Sequence, residues 1–193
     1  MNKIITAAMF ALLALPSVAS AADMKPYAGA GIGAFGLEFQ ENAGKVNKTV
    51  LGSYAKLGSD IGDYLGAELR IGSTASGSKV SPVNPAVTVK MSAEYFLSYL
   101  GKAQLPVTPN FKAYALLGAS TVNFKVTNNV GFNQSQTKTG LTYGAGANYD
   151  IQDTLSVGGE WVQYLTNAKM SNQFGTNAKM KMWGAVVTMA YHF

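Results

Sequence analysis

Taken in steps of two from its last residue, the chain reads Phe193, Tyr191, Met189, Val187, Ala185, Trp183, all apolar. The intervening His192, Ala190, Thr188, Val186 and Gly184 are small or polar apart from Val186. A period of two is the signature of a strand with one apolar face. Aromatics stand at both ends of that face with aliphatics between them, which suits a slab of hydrocarbon bounded by two water interfaces. Ten residue steps of about 3.3 Å, tilted by about 40°, rise roughly 25 Å, the height of such an apolar band. A strand of this length and polarity belongs in a membrane wall.

The start of the chain carries an export signal. Lys3 gives a positive n-region, Ile4 to Leu15 an apolar h-region, and Ala19-Ser20-Ala21 a small-residue cleavage site. Cleavage is expected after Ala21, with Ala22 the near alternative, leaving residues 22–193 as one domain. The apolar run is too short for an anchor, since spanning takes about 20 residues. The rest of the chain has no uninterrupted apolar run long enough for a spanning helix.

Composition agrees with a lipid-facing wall. Only 13% of residues are charged, against about 25% in a soluble domain. A charge facing the midplane of a bilayer costs about 2–4 kcal/mol. The absence of cysteine means that the exported chain relies on no disulfide.

Eight alternating segments follow the leader. The first runs about Pro26 to Phe39, and the second from Thr49 to Leu57 after a polar loop, Gln40 to Lys48. The third, Tyr64 to Gly72, sets Leu65, Ala67, Leu69 and Ile71 against Gly66, Glu68, Arg70 and Gly72. The fourth is the clearest: Val87, Val89, Met91, Ala93, Tyr95, Leu97 and Tyr99 alternate with Thr88, Lys90, Ser92, Glu94, Phe96 and Ser98. The fifth spans about Phe111 to Phe124, the sixth Leu141 to Tyr149, the seventh Leu155 to Leu165, and the eighth is the terminal strand. The faces of the first and fifth are open, because both are apolar or glycine-rich on both sides. Between the strands lie long loops (Gln40 to Lys48, Ser73 to Ala86, Lys125 to Lys138, Thr166 to Ala178) and short turns. They alternate, as in membrane barrels with long outer loops and short periplasmic turns.

Three segments, Tyr143-Gly-Ala-Gly-Ala-Asn-Tyr149, Leu155-Ser-Val-Gly-Gly-Glu-Trp161 and Ala190-Tyr-His-Phe193, resemble the late strands of the small eight-stranded outer-membrane barrels. That family includes the membrane domain of the outer membrane protein A type and the opacity and attachment proteins. The resemblance implies an all-β, up-and-down transmembrane barrel of eight antiparallel strands in the outer membrane of a Gram-negative cell. It also implies that the terminal strand, with Trp183, Val187, Met189, Tyr191 and Phe193, is both an aromatic belt and the segment read by the barrel-assembly machinery. It specifies fold far better than activity, since members of the family do quite different things.

If the aliphatics face lipid, Glu68, Arg70, Lys90 and Glu94 face the interior, and parity adds Lys56 and Glu160. An eight-stranded barrel is just wide enough for side chains to fill it. Six charges, three of each sign, must therefore pair there. Arg70, the only arginine, can hold a carboxylate through two hydrogen bonds. The expectation is an ion-pair network that plugs the lumen; the alternative is a narrow or gated pore.

Gly31-Ile-Gly-Ala-Phe-Gly36 matches G-x-G-x-x-G, but no helix pattern follows it and no acid stands about 20 residues on. It reads as relief in a curved wall, and no cofactor or metal is expected. Some barrels of the family process acyl chains of lipopolysaccharide with a histidine. The single histidine here, His192, points inward at the periplasmic rim, so no catalysis is expected. A soluble ligand-binding barrel would invert the fourth strand, with aliphatics inside and charges outside.

Apart from Lys125, at the edge of the fifth strand, the expected outer loops carry Lys45, Lys48, Lys79, Lys138 and Lys169 against Glu41, a balance of +4. The expected periplasmic turns carry Asp60, Asp63, Asp150 and Asp153 against Lys102, a balance of −3. Basic loops are attracted to lipopolysaccharide phosphates at the membrane surface, over a range screened within about 8 Å. Outer-membrane lipid and lipopolysaccharide are the expected partners, with a host or envelope protein a further one. Nucleic acid is not indicated, because the lysines are dispersed. The reading is a structural or adhesin-like surface barrel.

Overall fold

The computed structural model describes residues 24–41, 44–80, 86, 88–131, 133–169 and 179–193. The expected leader, residues 1–21, and its cleavage site lie outside the described residues. The strands are β1 (Met24–Glu41), β2 (Gly44–Ile61), β3 (Leu65–Thr74), β4 (Gly77–Val80), β5 (Thr88–Thr108), β6 (Phe111–Asn128), β7 (Asn133–Gln152), β8 (Leu155–Lys169) and β9 (Lys179–His192).

Every pairing is antiparallel between sequence neighbours, and two contacts close the ring. β1 pairs with β9 from Tyr27↔His192 to Gln40↔Lys179. β3 and β4 share one course beside β5, β3 along Phe96–Ala103 and β4 along Thr88–Met91, so the wall is eight strands wide. Tight turns at 62–64, 109–110 and 153–154 lie at the end where β1 begins and β9 finishes. There the last residues are tied to the wall: His192 N donates to Thr154 O at 2.8 Å and Phe193 N to Pro26 O at 3.0 Å.

Two adjacent valines of β9 give the facing of the wall: Val186 is 5% exposed and Val187 67%. Met189 and Tyr191 are exposed with Val187, as are Ile32, Leu57, Leu65, Ile71, Leu117 and Leu141 on other strands. The aliphatic face therefore points away from the barrel, and Lys56 and Asp60 of β2 and Glu68 and Arg70 of β3 point into it. The strands whose faces the alternation leaves open now divide. Phe35 and Leu37 of β1 and Tyr114, Leu116, Val122 and Phe124 of β6 are buried. Ile32 and Leu117 are exposed.

Two expectations are corrected. The unbroken alternation from Val87 to Tyr99 does not lie on one face. Ala93 pairs with Phe124 and Tyr95 with Asn123, so Glu94 is an extra residue, a bulge in β5. One inserted residue reverses the phase of everything beyond it. Below the bulge Phe96, Ser98, Leu100 and Lys102 face inward; above it Met91 and Ala93 do, with Val89 packed against the same core. Val87 lies outside the described residues.

The loops are also shorter than expected. Most of Gln40–Lys48 and Lys125–Lys138 is strand. These hairpins run past the apolar band. On β7 the outward residues switch from Asn133, Ser135, Thr137 and Thr139 to Leu141, Tyr143 and Ala145. Above the switch the outer face is bound by polar pairs, Thr121–Thr139 at 2.8 Å and Asn123 Nδ2 donating to Thr137 Oγ1 at 2.8 Å. With water outside, a polar strand has no hydrophobic alternation by which to be recognised.

The bulge makes a specific prediction in this cysteine-free chain. Single cysteines at Tyr95 and Met189 should label freely in the folded protein, whereas cysteines at Ala93 and Met91 should be shielded. Free labelling at Ala93 would restore the unbroken phase and remove the bulge.

Candidate functional site

The interior is layered. Toward the far end, opposite the termini, Phe35, Phe96 and Tyr164 form a ring cluster with centroids 4.9–5.9 Å apart. Leu37, Met91, Phe124, Met180 and Met182 pack with them, each fully or almost fully buried. Below this apolar layer comes an ionic one.

Strand register assembles the ionic layer. Lys56 of β2 lies opposite Arg70 of β3, and Gly58 opposite Glu68. Glu160 reaches in from β8 across the lumen. Arg70, 0% exposed, donates through Nη1 and Nη2 to the two oxygens of Glu160 at 2.5 and 2.8 Å, and through Nε to Glu68. This fork is what a planar guanidinium does best with a carboxylate. Lys56 Nζ lies 3.7 Å from Glu68 Oε2.

Tyrosines complete the coordination of both acids. Tyr27 donates to Glu68 Oε2 at 2.9 Å, Tyr54 to Glu160 Oε1 at 2.5 Å and Tyr114 to Glu160 Oε2 at 2.9 Å. Three glycines make room for them: a Cβ at Gly58, Gly31 or Gly146 would collide with the ring or hydroxyl of Tyr27, Tyr54 or Tyr114. Gly31 opens the G-x-G-x-x-G stretch, and Gly36 closes it beneath the indole of Trp183. The motif accommodates large side chains on both faces of the wall.

Nearer the terminal end Lys102 Nζ lies 2.5 Å from Asp60 Oδ1 and 4.6 Å from the Tyr27 ring centroid. Both Lys102 and Asp60 are buried. The alternation puts them on turns, where their charges count toward the balance of −3. The strands extend further than the alternation suggests, and both side chains turn inward. Lys90 and Glu94 depart from the expected set in the opposite sense. Both are exposed, and Glu94 pairs on the outside with Lys125 at 2.8 Å. The β5 bulge accounts for both. Among the described residues three buried cations and three buried anions thus meet inside (Lys56, Arg70, Lys102; Asp60, Glu68, Glu160), four of them from the expected set. Tyr54 is within reach of parity, two residues from Lys56 on the same strand. Tyr27 and Tyr114 lie on the two strands whose facing is open in the sequence.

His192 lies at the terminal rim with Nε2 3.2 Å from Ser156 Oγ and its ring 5.3 Å from Tyr27. A base is therefore within reach of a serine, which parity alone does not suggest, but Ser156 is itself buried. Of the lysines expected on loops, Lys48 and Lys169 are exposed and Lys138 is half-buried on β7. Lys45 binds Glu38 on the outer wall at 2.8 Å. Lys79 lies in β4, opposite Val89. In the terminal strand Val187, Met189, Tyr191 and Phe193 are all at least half-exposed, and Tyr191 meets Phe193 edge-on at 5.4 Å. Trp183 is partly exposed.

Residues 5–193 match the family described as outer membrane protein beta-barrel domain. Solved structures of similar shape include a major outer membrane protein from Thermus thermophilus (TM-score 0.63, 14% identity, 89% of this chain and 100% of that one). Neisserial surface protein A is another (0.61, 14%, 87% and 97%). A third is Ail, the attachment invasion locus protein of Yersinia pestis, in complex with the heparin analogue sucrose octasulfate (0.53, 18%, 88% and 99%). No curated protein sequence matches the chain.

Removing one partner of a buried ion pair leaves the other charge stranded, at about 3–5 kcal/mol. Arg70→Ala should therefore destabilise the barrel by about that much in urea unfolding from lipid vesicles. Tyr54→Phe, which removes one hydrogen bond to a charge, should cost about 1.5–3 kcal/mol. An Arg70→Ala barrel as stable as the parent would show that the layer is not structural.

Proposed function

Since the chain belongs to the outer membrane protein β-barrel family and so resides in the cell outer membrane, we propose that it is a closed surface barrel. In this reading it interacts with polyanions at its far end and catalyses no reaction. The far end is the one turned to the outside. The observation that carries this reading is the continuation of β1, β2, β6 and β7 past the apolar band as strands with polar outer faces. They form a rigid projecting rim rather than loose loops. Lysines outnumber acids on that rim, and the outer leaflet presents lipopolysaccharide phosphates beside it. One structural relative was solved with a polysulfated sugar, a ligand of the same charge class. The terminal strand, from Trp183 through Val187, Met189 and Tyr191 to Phe193, serves as the segment engaged by the barrel-assembly machinery.

Two stacked layers support a closed lumen rather than a pore. The apolar layer includes side chains at 0% exposure, and the ionic layer below it holds three cations and three anions in close array. An ion moving along the axis would have to displace both. At the rim of the barrel, Ser156 and His192 read as a buried hydrogen bond that finishes the wall.

Charge reversal of the tip lysines Lys48, Lys79 and Lys138 to Glu should reduce the lipopolysaccharide that co-purifies with the protein from outer membranes. Planar bilayers containing the purified barrel should show no steady conductance. Undiminished lipopolysaccharide would remove the polyanion reading, and open-state current would replace the closed barrel with the pore.

A further inference from the structure

On the outer wall, just above the apolar band, the register gathers lysines from three different strands. On β9 the inward residues are Met180, Met182 and Val186, all buried, so Lys179, Lys181 and Trp183 share the outward face. Glu38 of β1 lies opposite Lys181. Its carboxylate stands 3.2 Å from Lys181 Nζ and 2.8 Å from Nζ of Lys45 on β2. On the other side Lys169 of β8 lies directly opposite Lys179.

Two ammonium groups thus meet one carboxylate, and two more lysines stand one step further along the same outer face, a balance of +3 over these five side chains. Like charges directly opposite on neighbouring strands repel and destabilise a sheet. Lys169 and Lys179 are such a pair, while Glu38 is engaged by Lys45 and Lys181. The arrangement calls for further negative charge.

Height identifies where that charge comes from. Trp183 marks the edge of the apolar face, and Lys181 and Lys179 follow about 7 and 13 Å along the strand. At a tilt of about 40° they stand roughly 5 and 10 Å above the belt. The polar layer of a bilayer is about 5–8 Å thick on each side. Lys181 therefore lies at the level of the headgroups and Lys179 just above their outer edge, a distance its long side chain can bridge.

We propose that Lys45, Lys169, Lys179 and Lys181 form a clamp for a phosphate group of an outer-leaflet glycolipid, with its acyl chains lying down the wall below Trp183. Glu38 holds Lys45 and Lys181 in place and limits the affinity by its own charge. The clamp rests on the polyanion reading above but is separate from the tip lysines, since it grips a lipid from the side.

The test uses the detergent-folded protein and phosphatidylcholine vesicles carrying either bis-phosphorylated or dephosphorylated lipid A. The wild type should bind the phosphorylated vesicles at least about tenfold more tightly, given that each lysine at a membrane surface contributes appreciably. Lys169→Gln/Lys179→Gln/Lys181→Gln should lose most of that difference while keeping its unheated gel mobility. Glu38→Gln should bind more tightly than wild type, the opposite of what loss of a merely structural ion pair would do. Inorganic phosphate at millimolar concentration should not compete. Equal binding of the two lipids, a triple variant that binds like wild type, a Glu38→Gln that binds no better, or competition by free phosphate would each overturn the clamp. If the triple variant binds normally while the tip variant Lys48→Glu/Lys79→Glu/Lys138→Glu does not, the polyanion reading stands and the clamp alone falls. If the wild type binds neither vesicle, both fall.

Discussion

A guanidinium removed from water must be met by carboxylates, and Arg70 sets the terms for the inside of this barrel. It spans the lumen, linking Glu68 on the same inward face of its own strand to Glu160 on β8. Neither acid could be buried without it, nor it without them. The remaining lone pairs of the two carboxylates accept hydrogen bonds from the hydroxyls of Tyr27, Tyr54 and Tyr114. The outcome is a cross-brace between opposite walls in a fold whose ladder bonds all run between adjacent strands.

That brace dictates where glycine goes. A tyrosine that reaches a central carboxylate needs space over the neighbouring strand, and Gly31, Gly58 and Gly146 supply it. Small and large residues alternate around the lumen for this reason, as they must in a barrel with no room to spare. The glycine-rich character of β1 is thus a packing requirement.

The bulge at Glu94 separates two regimes of the wall. Toward the turn end the lumen is ionic and the outside greasy; from Phe96 outward the lumen is apolar and the outside turns polar. The barrel inverts its pattern as it leaves the hydrocarbon, much as a soluble protein would be built. A single extra residue makes this switch in β5, keeping Met91 and Ala93 in the upper core and sending Glu94 out to Lys125. The lipid-facing and water-facing parts of one sheet are joined by a shift in phase, without a break in the strand.

By itself the sequence determined the class of fold, because period two over a membrane's height leaves few alternatives for Trp183 to Phe193. It also determined the facing of β2, β3 and β9 and four members of the ionic layer, since parity within a strand is a local property. Tertiary structure decided what parity could not carry. The bulge reverses phase without leaving any mark in the alternation from Val89 to Tyr99, so Lys90 and Glu94 read as interior from sequence and stand outside in the fold. Lys102 and Asp60 read as turn residues because the glycine, serine and proline around them (Gly58-Ser59, Gly62, Gly101, Pro106) are turn signals, although the alternation runs on through Leu105 and Val107. The Lys169 and Lys179 pair depends on register between β8 and β9, set by two irregularities near Leu165. Which strands face each other across a closed ring is a property of the ring, and no single strand contains it.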